Sequence, residues 1–340
     1  MEKKDQLRNI TSFLLETQNS VYLLQPEVIK ITGILAESQA VWSLQQKNIE
    51  FGKSQTPNGV AISPAMAAMC ADDFLRTLIF IRGLHAAILD VRERFPGRPA
   101  RILYAGCGPY ATLAIPLMAI FSPSEATFSL LDLHSESIES AKSIINRLGL
   151  AGSVASFEMI DAGSYHINPE QPPDIILLEI MQSCLDAEPQ VAVTRHLLKQ
   201  APHAILVPEE IRIELMMIDF SREFNLNNRE ENQTPPPQRD RIPVATIFVV
   251  NRETVNSWDR NDSDRLPAAA VRIPDHLEKR YVPAFFTIIR TYKHHILRDY
   301  DSGLSRPKLS FPEEAIKRGN MIQFHYELGC KPGLKATVNA

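Results

Sequence analysis

Hydrophobic positions change their rhythm twice along this chain. Up to about residue 95, apolar side chains recur every three or four positions, the repeat of one helix face. Pro26 suits the first turn of a helix running through VIKITGILAESQAVWSLQQ. Ser63-Pro64 reads as a capping hydroxyl followed by a proline at the first helical position. It predicts a helix through AMAAMCADDFLRTLIFIRGLHAAILDVRERF that stops near Pro96-Gly97. The intervening FGKSQTPNG, residues 51–59, reads as a loop.

From Arg101 the pattern becomes strand–turn–helix. ARILYAG, TFSLLDL, ASFEMID, PPDIILLE and HAILVP are short apolar runs of strand length. GPYATLAIPLMAIF, SIESAKSIINRLGL (with a Gly-type cap) and AEPQVAVTRHLLKQ are helical stretches among them. The alternation predicts an α/β fold with a doubly wound, Rossmann-like parallel sheet, whose ligands sit at the carboxyl ends of the strands. After Pro208 the helical repeat stops. RIELMMIDF, VATIFVVNR, AAAVRIP, AFFTIIRTYK and NMIQFHYEL read as strands separated by turn-rich pieces such as REENQTPPPQRD, whose prolines 235–237 are expected to be exposed. They suggest a β-barrel-like or sandwich unit. The expected division is an N-terminal helical segment at 1–95, a Rossmann-like domain at 96–208 and a β-barrel-like substrate and dimerisation domain at 209–340.

Bulk properties narrow the function classes. A chain of 340 residues exceeds one average domain, and 44% hydrophobic with 22% charged residues is ordinary for a soluble globular protein. No apolar run approaches the ~18–20 residues of a bilayer span, and the charged N-terminus lacks a signal peptide's apolar core. Membrane association is not expected, and a cytoplasmic setting is the expectation. Cys70, Cys107, Cys184 and Cys330 are widely spaced, so neither a zinc site nor a disulfide framework is expected. His294-His295 is expected to point to opposite strand faces and not to bind metal. A net charge of −4 without a basic stripe argues against nucleic acid and is compatible with a basic substrate.

Chemistry concentrates at strand ends. ILYAGCGPYAT places Gly106 and Gly108 between a strand and a helix, where absent side chains let a ligand approach the backbone. Asp132 ends the next strand and can accept both hydroxyls of a ribose. Asp161 ends the third and can accept from an adenine amino group. The candidate cofactor residues are therefore Ala105, Gly106, Cys107, Gly108, Asp132 with Leu133, and Asp161 with Ala162. GCGPYA also satisfies a dinucleotide pattern. S-adenosylmethionine accommodates Tyr110 and the long helical lead more easily. Cys107 reads as a small turn residue, not a nucleophile. The run EIMQSCLDAE, 179–188, leaves the fourth strand and enters a helix. Its two end carboxylates, Glu179 and Glu188, can converge on a cationic nitrogen and are the candidate catalytic pair. Glu188 alone could merely complement a helix dipole.

These residues resemble the protein arginine methyltransferase family. EIMQSCLDAE resembles that family's double-glutamate loop, and AISPAMAAMCADDFLRTLIF its helix ending in an acidic-x-Arg-Thr element. The resemblance implies that Arg76 binds the cofactor's carboxylate, Asp132 the ribose, and that Asp161 lies near adenine. It covers roughly 55–220, with HAILVPEEIRIEL resembling the passage through Pro208 into the family's β-barrel. Tyr104 stands where the first strand usually carries an acid, and Tyr110 replaces the third glycine. The family's tyrosine-bearing helix and its Thr-His-Trp loop have no counterpart. The implied function is methyl transfer from S-adenosylmethionine to a basic nitrogen, an amine or guanidine of a small molecule or peptide. With the apolar N-terminal helices, the resemblance also implies a homodimer.

Two carboxylates close together raise each other's pKa, so substrate binding and proton uptake are expected to be linked. Other readings stay open: aminocarboxypropyl transfer, given a faint resemblance of GCGP to nicotianamine synthases; a dinucleotide-dependent oxidoreductase; and a non-catalytic binding protein.

Overall fold

The computed structural model describes residues 2–39, 52–224, 239–258, 263–309 and 319–339. Helices α1 (Glu2–Glu16) and α2 (Gln25–Ser38) open it, with Pro26 in the first turn of α2. Their buried faces follow the helical repeat: Leu7, Thr11 and Leu14 on α1, and Val28, Ile31, Ile34 and Leu35 on α2. The expected continuation of the second helix beyond residue 39 lies outside the described residues. The expected loop at 51–59 is in large part a β-hairpin, β1 (Ser54–Thr56) paired with β2 (Gly59–Ala61).

The single long helix expected after Ser63 is broken in two. Ser63 accepts a hydrogen bond from Met66 N at 3.2 Å and starts α3 (Pro64–Met69), as the cap signal predicts. A 3₁₀ turn at Cys70–Asp72 follows. Asp73 leaves helical geometry, at φ −75° and ψ 87°, and its carboxylate accepts from Arg76 N to cap α4 (Phe74–Arg94). An aspartate that caps its own helix competes with continuation of the preceding one. That break sets the position of Arg76.

The parallel sheet contains β3 (Ala100–Ala105), β4 (Ala126–Asp132), β5 (Val154–Met159), β6 (Ile175–Leu178) and β7 (Ile205–Val207) in the order β5-β4-β3-β6-β7. All four residues of β6 are buried, the expected state of a central strand covered on both faces. Helices α5 (Ile115–Ile120), α6 (Ser135–Arg147) and α7 (Gln190–Gln200) complete this region. Gly149, at φ +66°, follows α6 as the glycine cap predicts. Helix α5 starts seven residues beyond Gly108, later than expected. Chain order reverses between β3 and β6, so the loops after these strands flank a topological switch point.

The C-terminal region is antiparallel and strand-rich. It contains β8 (Glu210–Asp219), β9 (Arg241–Asn251), β10 (Arg265–Arg272), β11 (Tyr281–Tyr292), β12 (His295–Leu297), β13 (Met321–Glu327) and β14 (Gly333–Asn339). Among the described residues these form a four-stranded sheet, β12-β11-β8-β9, and a three-stranded one, β10-β13-β14. All five expected strands are present. Helices do not stop at Pro208, however: α8 (Phe220–Phe224) and α9 (Arg252–Trp258) follow β8 and β9. Trp258 of α9 carries an aromatic anchor, stacked on Phe248 at 5.4 Å, and Phe248 stacks in turn on Tyr326 at 4.9 Å. His294 and His295 do not occupy opposite strand faces. They meet with ring centroids 4.1 Å apart at the β11–β12 turn, where Lys293 has φ +50°. Prolines 235–237 lie outside the described residues. One continuous hydrophobic core runs from Leu7 through the parallel sheet to Tyr326. Among the described residues no helix is long and apolar enough to cross a membrane, and no cluster of three metal-ligating side chains occurs.

Candidate functional site

The turn after β3 is built on two left-handed glycines, Gly106 at φ +76° and Gly108 at φ +63°. A Cβ at Gly106 would collide with the Ile180 side chain, so this turn and the loop after β6 are packed without space for an alanine. Gly108 N donates to Asp132 Oδ2 at 2.9 Å, and His134 N donates to Asp132 Oδ1 at the same distance. Asp132 thus ties the glycine turn to the end of β4. Asp161, past the end of β5, accepts from Gly163 N at 2.8 Å in an Asx-type turn. Cys107 is buried, and burial pushes its thiol pKa up, away from the thiolate a nucleophile requires.

On the other side of the switch point, Arg76 Nη2 lies 2.7 Å from Glu179 Oε2, with side chains 10% and 8% exposed. Burial raises the Glu179 pKa to about 7: desolvation outweighs the neighbouring guanidinium, and Glu188 adds repulsion. Burial likewise lifts Glu188 to about 7, opposed by a hydrogen bond from Gln182 and by the more distant charges of Arg76 and Lys53. Glu188 precedes α7 but is 6% exposed, too buried to act only as a surface complement to the helix dipole. Tyr104 is buried, and its hydroxyl pKa rises through burial and the charge of Glu179.

The loop joining the glutamates is strained and firmly held. Cys184, Leu185 and Ala187 all have positive φ, at 61°, 56° and 64°. Non-glycine residues persist there only where their surroundings impose it. Cys184 N donates to Thr287 Oγ1 at 2.7 Å, and Tyr326 Oη donates to Leu185 O at 2.7 Å. Val60 N donates to Ala187 O at 2.8 Å, and Ala187 N donates to Pro332 O at 3.2 Å. The hairpin, β11, β13 and the segment before β14 therefore all grip one loop.

These elements enclose a cavity that is partly open to solvent. Its wall includes Arg76, the turn residues Gly106, Cys107 and Gly108, and both glutamates. Asp132 with Leu133 and Asp161 with Ala162 also line it. Ala105 does not; it is fully buried as the last residue of β3. The sequence reading missed several wall residues: Thr56, Val60 and Ala61 of the hairpin, and His134 and Ser137 beyond β4. The hairpin had a signal in Pro57-Asn58, two turn-favouring residues that connect Thr56 to Gly59. Two of the lining residues, Arg76 and Ser137, each also carry a buried polar atom, Nε and Oγ, with no hydrogen-bond partner.

No protein-family model matches the sequence, and no curated protein matches it. Among solved structures, the chain is similar to the Trypanosoma brucei PRMT1 enzyme–prozyme heterotetrameric complex with AdoHcy. Identity is 13%, the TM-score is 0.51, and the match covers 79% of this chain and 91% of that one. A parallel five-stranded sheet preceded by helices and followed by antiparallel strands is thus an arginine methyltransferase-like fold.

Proposed function

We propose that this chain is an S-adenosylmethionine-dependent N-methyltransferase acting on a basic nitrogen, an amine or guanidine of a small molecule or peptide. One observation carries the reading: a glycine-rich turn, two strand-end acids and a buried glutamate pair face the same cavity. The adenosylhomocysteine-type ligand of the similar PRMT1 structure supports the cofactor class. The residues present fit such a cofactor. The backbone at Gly106 and Gly108 lines the cavity without side chains, Asp132 and Asp161 supply acceptors, and Arg76 supplies a guanidinium for a carboxylate.

When bound, this cofactor supplies an electrophilic methyl group on sulfur. The protein's part is to hold the accepting nitrogen in line and free of water. Glu179 and Glu188 would grip a cation by charge-assisted hydrogen bonds. A glutamate with a pKa near 7 is also suited to take a proton from an ammonium nucleophile at neutral pH. The linkage then has the opposite sign to the uptake expected from the sequence. A cation draws partly protonated glutamates into their ionised form, so binding near pH 6–7 releases protons.

The dinucleotide reading loses its main support. Phosphate-binding turns of that class place the anion on a helix N-terminus directly after the glycines, whereas α5 begins only at Ile115. We further propose a cytoplasmic setting, a homodimer, closure of the two C-terminal sheets into a barrel, and functional units at 1–95, 96–208 and 209–340. The decisive experiment is a thermal shift with S-adenosylhomocysteine and with NAD. The former should stabilise the protein by about 2.7 kcal/mol at a hundredfold excess over Kd. A shift with NAD alone would overturn the reading.

A further inference from the structure

A second cleft lies away from the glutamate cavity, where the segment between α1 and α2 meets α4 and the β11–β12 turn. Its wall carries Arg82 of α4, His294 and His295 at the turn, and Arg298 just past β12. His294 and Arg298 are exposed, so a solute can reach both. Asp301 is the one acid of this wall among the described residues, and it is already engaged. Tyr22 Oη donates to its Oδ1 at 2.9 Å, and Arg298 N donates to its Oδ2 at 2.8 Å. Arg82 donates from Nε and Nη2 to Leu14 O, in the last turn of α1, at 2.9 and 2.8 Å. Burial lowers the Arg82 pKa, and no carboxylate opposes it. His295 is half-buried; burial, then the positive charges of His294, Arg82 and His85, lower its pKa to about 4. Every ionisable neighbour that acts on this imidazole is a base. The chain as a whole carries −4, yet this cleft gathers four basic side chains around one committed acid. The histidine pair is not a metal centre: no group of three metal-ligating side chains occurs among the described residues.

We propose that this cleft binds a small organic anion, its carboxylate or phosphate head held by His294, His295 and Arg298 and its apolar body against Leu15, Val21 and Ile296. Imidazole and guanidinium groups give such oxyanions charge-assisted hydrogen bonds. The three apolar residues line the same cleft, so the occupant is an anion with a hydrocarbon part and not a bare ion. It would sit where the N-terminal segment and the C-terminal strands already meet through Tyr22 and Asp301, and would stabilise that junction. The inference is independent of the methyltransferase reading.

The test is a thermal-shift titration at pH 6 and constant ionic strength with benzoate and with phenyl phosphate, which share an apolar ring and differ in head group. Neutral benzamide is the control. Wild type, His294→Ala and Arg298→Ala are compared, and the wild type is also titrated with S-adenosylhomocysteine present. Both substituted side chains are exposed, so the variants should fold normally. At least one anion should stabilise the wild type while benzamide does not, and the more effective anion identifies the head group. Each variant should bind that anion about tenfold more weakly, the value of one hydrogen bond to a charged group. No stabilisation by either anion, or equal stabilisation by benzamide, would overturn the proposal. Unchanged affinity in either variant would do the same, because the anion would then sit elsewhere. A signal that vanishes when S-adenosylhomocysteine is present would place the anion in the cofactor cavity and equally defeat it. Failure of S-adenosylhomocysteine itself to bind would sink the methyltransferase reading and leave this site standing.

Discussion

Glu179 and Glu188 share a raised pKa but differ in what their removal exposes. Glu179 is paired with a guanidinium that is itself buried, so Glu179→Gln leaves Arg76 without its counter-charge. Breaking a buried pair from one side typically costs about 3–5 kcal/mol. The folded pKa near 7 lies above the ordinary 4.5, so wild-type stability from this group falls as pH rises and the cost should be smaller at pH 8 than at pH 5. Urea unfolding at the two pH values checks this, and an equal cost at both would refute it. Glu188→Gln removes no such partner. A folded pKa near 7, above the ordinary value of 4.5, means that the folded state holds the proton more tightly than the unfolded chain. Stability from this group is complete below about pH 4.5 and is lost as pH rises to about 7, by roughly 3 kcal/mol. Glu188→Gln should therefore match wild type at pH 4.5 and exceed it above pH 7. Both variants should keep S-adenosylhomocysteine affinity within a few-fold while turnover disappears. Near-normal turnover in either would end the substrate-clamp role.

At the scale of elements, legibility followed the range of the interactions. The strands and the residues at their ends were readable because apolar runs, glycines and acids are local signals. Asp132, Asp161 and Glu179 lie where their strands predict. The hairpin at 54–61 was not read, because strands of three residues show almost no alternation and Pro57-Asn58 is a single short signal. The break at Asp73 was hidden by apolar residues that continue the helical repeat across it. The carboxylate that interrupts the helix is fixed by Ser302 Oγ at 2.7 Å and Gly303 N at 2.8 Å, from more than 200 positions away. The hairpin's importance lies in Gly59, at φ +140°, where a Cβ would stand 2.6 Å from Ala187 O. Gly59→Ala should push the hairpin off the loop before Glu188. Weakened Val60–Ala187 bonding should appear as faster amide exchange at 60, and turnover should fall at least tenfold with fold stability lowered by about 1–3 kcal/mol. Unchanged exchange there would show that the hairpin does not hold the loop.

Over the whole molecule, the glutamate loop belongs to neither half of the chain. Its glutamates leave β6 and approach α7 of the parallel sheet, yet its strained middle is held by Thr287 and Tyr326 of the C-terminal strands. The hydrophobic core is continuous across the same junction. Long-range grips of this kind leave no trace in a local pattern, which is why a sequence reading at 209–340 yields strands but not their task. They have a thermodynamic consequence. If the loop's geometry depends on Tyr326, removing only its hydroxyl should leave Leu185 O buried without its donor. That omission typically costs about 1–3 kcal/mol. Tyr326→Phe keeps the ring stacked on Phe248, so its effect isolates the hydrogen bond. The variant should lose stability by that amount, and its turnover should fall although residue 326 does not line the cavity. Affinity for S-adenosylhomocysteine should change less than turnover, because Arg76, Gly106, Gly108 and Asp132 sit on elements outside the loop. A Tyr326→Phe variant with normal turnover and a normal melting temperature would show that the C-terminal strands merely adjoin the glutamate loop and do not set its shape.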